Sequence, residues 1–121
     1  MAGAWYRSAM NTDTPSGHFT DDHRACDRLW SELERAADRG DATAADALWP
    51  RVAAAMERHF GGEEQVLFPA LEEATGMRGG PTAVMRHEHA QMRRLLEQMA
   101  SARARGDLTS LLDHGETLVF L

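Results

Sequence analysis

The stretch His59-Phe60-Gly61-Gly62-Glu63-Glu64 holds the side chains best suited to chemistry in this chain. On a helix, residues four apart share one face about a turn from each other, so His59 and Glu63 present an imidazole and a carboxylate together. Both are ligand types for iron, manganese and zinc. The spacing alone leaves a choice open, because a His and a Glu four apart also occur as a plain hydrogen-bonded pair. Position adds to the signal. Both residues fall on an apolar stripe with Val52, Met56, Phe60, Val66 and Leu67. A carboxylate on such a stripe is costly unless it is paired or binds a cation. Gly61 and Gly62 each cost roughly 1 kcal/mol relative to Ala in a helix interior. Two such costs within one turn point to a functional constraint.

An internal repeat singles out two further histidines. His23 precedes Gly40-Asp41 by 17 residues, and His89 precedes Gly106-Asp107 by the same 17. Each Gly-Asp pair follows an Arg (Arg39, Arg105) and has a Thr two positions on (Thr43, Thr109). The two halves are offset by 66 residues. Each reads as a helix opening near an acid-His pair, a Gly-Asp turn and a second helix, a period that bears on the whole fold. The offset carries His59 and Glu63 to positions 125 and 129, past Leu121. A His near the first and an acid near the second are expected in a continued chain.

Asp22-His23, the run His59-Phe60-Gly61-Gly62-Glu63-Glu64-Gln65-Val66-Leu67-Phe68-Pro69, and Glu88-His89 together resemble the hemerythrin-like, or HHE cation-binding, domains. The resemblance runs from about residue 18 to the end, and residues 59–69 are its most specific part. It implies an all-α, up-down four-helix bundle whose core holds non-haem iron, usually as a di-iron centre. The implied ligands are His23, His59, Glu63 and His89. His23 and His59 would serve one ion and His89 the second, with Glu63 terminal or bridging. Such centres bind dioxygen or nitric oxide, react with peroxide, or sense iron or redox state. One departure stands out. Oxygen-carrying hemerythrins have two histidines four apart on the third helix, and here the first of those positions is Met85. Iron is expected ahead of zinc or manganese. Three His and one Glu suit tetrahedral zinc, but the repeat implies more ligands than zinc needs.

The elements that must position these residues are all helical. Ala, Leu, Arg, Glu and Met dominate and β-branched residues are sparse, which favours helix over strand. Helix A is expected from Thr20, as N-cap, to Arg39, with the stripe His23, Cys26, Leu29, Trp30, Leu33 and Ala37. Helix B is expected from about residue 42 to Thr75, with either Pro50 or Pro69 at a kink. Gly76 to Pro81 reads as a loop. Helix C follows to Arg105, with Met85, His89, Met92, Leu95 or Leu96, and Met99 on its stripe. Helix D starts near Asp107 and is still helical in character at Leu121, which reads as a truncated fourth helix.

The chain has 121 residues, a net charge of −6 and one cysteine. That bounds it to one domain, with residues 1–17 a flexible lead-in and 18–121 the bundle. The acidic balance argues against nucleic acid. No run is apolar enough to span a membrane, and the start lacks the apolar core of a signal peptide. A lone Cys26 allows no internal disulfide, which favours a reducing cytoplasm. Cys26, Met85, Met92 and Met99 read as core, His18 as lead-in, and His87 and His114 as solvated. Glu64 lies about 100° off the ligand face, so it either orients a ligand or meets solvent. No nucleophile with an orienting base is evident, so a metal-binding or sensing protein is expected rather than a hydrolytic enzyme. The alternative is a metal-free helical interaction domain with a structural His-Glu pair. Its open bundle face would dock on a partner helix or form a homodimer.

Overall fold

The computed structural model describes the backbone of residues 15–119 and the side chains of residues 19–118. Among these residues every regular element is helical. Helix α1 spans Pro15–Asp38, α2 spans Ala42–Gly62, and a π-helical turn, Glu63–Leu67, joins it directly to α3, Phe68–Thr75. Helix α4 spans Pro81–Ala104 and α5 spans Leu108–Val119. Four rods result, α1, α2 through α3, α4 and α5. α1 packs on α2 and α5, and α4 packs on α5 and α2. With short turns between successive rods, this is the neighbour order of an up-down four-helix bundle.

The 66-residue repeat is a structural repeat. Gly40 and Gly106 both have φ of 70°, the left-handed conformation that Gly adopts at the end of a helix at no steric cost. The turns close with matching bonds. Asp41 N donates to Ala36 O and Asp107 N to Ala102 O, each at 2.9 Å. Asp41 Oδ1 then accepts from Ala44 N, and Asp107 Oδ1 from Ser110 N, each at 3.0 Å. The core repeats too. Leu33 pairs with Met99, Ala36 with Ala102, Ala45 with Leu111 and Val52 with Leu118, and all are buried.

Two expectations are corrected. The first helix begins at Pro15, not at Thr20, so residues 15–17 are helical and the rest of the expected lead-in lies outside the described residues. Proline suits a first turn because the amide it lacks would have no partner there. Thr20 is therefore inside α1, and buried. The second correction is Val66, which is 57% exposed rather than on the core stripe. The cause is the π-helical turn, in which the Phe68 amide donates to the Glu63 carbonyl five residues back. That wider turn carries Val66 outward and brings Phe68 into the core in its place. It also sits directly before Pro69, which has no amide proton and crowds the preceding carbonyls. The distortion predicted at one of the two prolines is this turn. Pro50 lies within α2.

The core has two parts. The larger joins all four rods through Cys26, Trp30, Leu33, Trp49, Phe60, Met92, Met99, Leu111 and Leu118. The smaller joins Phe19, Leu67, Phe68 and Met85, from α1, the π-helical turn, α3 and α4. Each such apolar side chain contributes roughly 1.5–3 kcal/mol when fully buried.

Candidate metal centre

Five of the six described buried polar residues are His23, Thr20, His59, Glu63 and His89, and they lie between the two apolar clusters. α1 supplies His23, α2 His59, the π-helical turn Glu63, and α4 His89. His59 reaches Glu63 one turn on, as their spacing requires. His59 Nε2 lies 3.4 Å from Glu63 Oε1, and His89 Nε2 lies 3.1 Å from the same oxygen. His23 adjoins this trio through His59, whose ring it meets edge-on at 5.4 Å between centroids. Its Nε2 stands 3.4 Å from Asp27 Oδ2.

The far sides of His59 and His89 are each held by a separate carboxylate. His59 Nδ1 donates to Asp22 Oδ2 at 3.1 Å, and His89 Nδ1 donates to Glu64 Oε2 at 2.7 Å. An ionised carboxylate only accepts, so a neutral ring that donates from Nδ1 here turns the lone pair of Nε2 toward Glu63. This is the arrangement in which outer carboxylates orient metal-binding imidazoles. Asp22 is backed by Arg58, at 3.6 Å. Glu64 is backed by Arg93, which donates to both its oxygens at 2.8 and 3.0 Å. Burial tends to raise the Glu64 carboxyl, but the hydrogen bonds from Arg93 and His89 outweigh it and hold the group below the usual carboxylate range. His89 also lies between two aromatic rings, Phe60 at 4.6 Å and Phe68 at 5.3 Å.

Glu63 tests whether a cation fits. Its side chain is 4% exposed, and Oε2 is buried with no hydrogen-bond partner among the described residues. Oε1 faces the Nε2 atoms of two imidazoles. A buried carboxylate in that setting is costly without positive charge. Two donor atoms each about 2.1 Å from one ion stand roughly 3.0–3.4 Å apart. The two Nε2–Oε1 separations fall in that range, so the donor chemistry fits a transition-metal ion. The fit is incomplete in one respect. Among the described residues, no group of three or more His, Cys, Asp or Glu side chains closes as a metal cage.

The remaining candidates fall outside this cluster. His87 is exposed and His114 half-buried, where solvation had been expected. The His18 side chain lies outside the described residues. Cys26 is buried in the core, and burial, with the neighbouring Asp22 and Asp27 charges, pushes its thiol up to about 12. It is a thiol, not a thiolate donor. Met85 is buried against Phe19, Leu67 and Phe68. Sequence reasoning missed Asp22, Arg58 and Arg93. The acid before His23 was visible, but nothing local shows that it serves His59.

The hemerythrin HHE cation binding domain matches residues 14–119 of this chain. No match to a curated protein or to a solved structure was found.

Proposed function

This chain belongs to the hemerythrin HHE cation-binding domain family, and from that premise we propose that it binds non-haem iron, as a di-iron centre, through His23, His59, Glu63 and His89. The observation that carries this reading is the approach of two imidazole Nε2 atoms to one oxygen of a buried carboxylate. The chain's own residues prepare that point. Asp22 and Glu64 keep the protons of His59 and His89 on Nδ1 and leave Nε2 as the donor. Glu63 offers one oxygen to both rings and keeps the second available to a further ion. Phe60 and Phe68 wall His89 and exclude water, which strengthens every charge interaction there. Bound iron would supply a redox-active Lewis acid that takes small ligands such as dioxygen, nitric oxide or peroxide. Ligand binding, or sensing of iron or redox state, is the role we assign to it. With Met85 apolar and buried, the oxygen-carrier pair on α4 is not available. No helix among the described residues is long and apolar enough to cross a membrane. We infer a cytoplasmic setting from the single buried thiol.

The experiment is elemental mass spectrometry on the full chain purified without chelator. About two irons per chain is the expected result. His59→Ala should lose the metal and lower the melting temperature, and unchanged metal content in that variant would rule the site out. A second reading, the metal-free helical interaction domain, draws on the absence of a closed cage among the described residues; a chain with intact helical circular dichroism and no metal would select it, with a homodimer as its simplest form.

A further inference from the structure

Arg93 touches two supports of His89, the Glu64 carboxylate and the Phe60 ring. Its Nη1 and Nη2 grip both oxygens of Glu64, at 2.8 and 3.0 Å, and Glu64 accepts the His89 Nδ1 proton. Its Nε donates to Glu57 Oε2 at 3.1 Å, a second anchor on α2. Its guanidinium stands 5.3 Å from the centre of the Phe60 ring, which packs on His89. The other orienting carboxylate is held differently. Asp22 has a shorter side chain and meets Arg58 through a single 3.6 Å contact, and the Arg58 side chain is 67% exposed.

We propose that Arg93 is a positioning residue, which clamps Glu64 from α4 and so sets the ring of His89 with Nε2 toward Glu63. The inference rests on the metal-site reading above. Glu64 is long and 24% exposed, so by itself it would sample solvent and release the imidazole. A planar guanidinium binding a carboxylate through two parallel bonds removes that freedom. Lysine, a single point charge, cannot reproduce the fork. Arg58 lacks this geometry, so it carries no comparable role.

The test uses the full chain with its metal removed and Fe(II) added back without oxygen. Arg93→Met keeps the apolar stem over Phe60 and is expected to weaken Fe(II) binding about tenfold, in line with losses at outer-shell partners of metal ligands. Glu64→Gln is expected to match it, and the double variant to lose nothing further, since Arg93 acts through Glu64. Arg93→Lys should recover only part of the loss, and Arg58→Met should stay within about twofold of wild type by the exposed-pair argument. Binding within twofold of wild type in Arg93→Met, additive losses in the double variant, or an equal loss in Arg58→Met would each overturn the proposal. If Arg93→Met does not fold, Arg93→Lys and Glu64→Gln supply the comparison. A second readout needs no metal. Long-range ¹H–¹⁵N spectra of the metal-free chain should show the His89 proton on Nδ1, and a mixture of tautomers in Arg93→Met. An unchanged ring would overturn the proposal. A wild-type chain that binds no Fe(II) ends the metal reading alone, and the ring spectra then decide the role of Arg93.

Discussion

At the scale of the residue, burial and close contact decide what each side chain can do. The Cys26 thiol, pushed up to about 12 by burial first and by Asp22 and Asp27 next, stays protonated at any physiological pH. Alkylation by iodoacetamide at pH 8 should therefore be slow in the native chain and fast in denaturant. Rapid labelling of the folded protein would contradict both its burial and its raised pKa. Two glycines show how a magnitude sets a sign. Gly61 has open space where a Cβ would stand, so Gly61→Ala should gain up to about 1 kcal/mol of helix propensity. At Gly115 the same Cβ would fall 1.9 Å from Cη2 of Trp30. The propensity gain is available there too, but overpacking a rigid indole costs about 1–3 kcal/mol, so Gly115→Ala should be net destabilising. Urea titration of both variants checks the pair, and a stable Gly115→Ala would show that Trp30 has room to move.

At the scale of the element, the two Gly-Asp turns and the π-helical turn govern what faces inward. Asp41 caps α2, and Asp41→Ala should cost about 1 kcal/mol. Asp107 caps α5, and the hydrogen bonds from the Ser110 amide and hydroxyl hold its carboxyl below the ordinary 3.8. A group depressed on folding adds stability that is fully present above its unfolded value and is lost as pH falls through its folded value. Acidification below pH 3.8 should therefore weaken the α4–α5 end. Asp107→Asn caps without titrating, so its melting temperature should fall less over that range than wild type. Parallel acid limbs for the two proteins would remove Asp107 from the account. The π-helical turn was not legible in the sequence. A 3.6-residue period puts Val66 inward and Phe68 aside, and only the extra residue in the turn reverses them. The distortion near a proline was legible, but its form was not.

At the scale of the whole molecule, the cluster sits where the four-rod core meets the smaller apolar cluster, so a bound ion would tie α1, α2 and α4 together. A ligand that binds only the folded state stabilises it by about 2.7 kcal/mol at a hundred times its Kd. Calorimetry should show a melting temperature that rises with Fe(II) and falls back with chelator. A melting curve indifferent to both would oppose metal binding by the native fold. The sequence by itself determined the helical class, the 66-residue repeat, the pairing of His59 with Glu63 and the candidacy of His23 and His89. Each of these is local or periodic, and a helix converts spacing along the chain into position on a face. Only the tertiary structure decided which carboxylate serves which imidazole. Asp22 lies 37 residues from His59, Glu64 lies 25 from His89, and Arg93 lies 29 from Glu64. No period links those positions, since they meet through the packing of one rod against another.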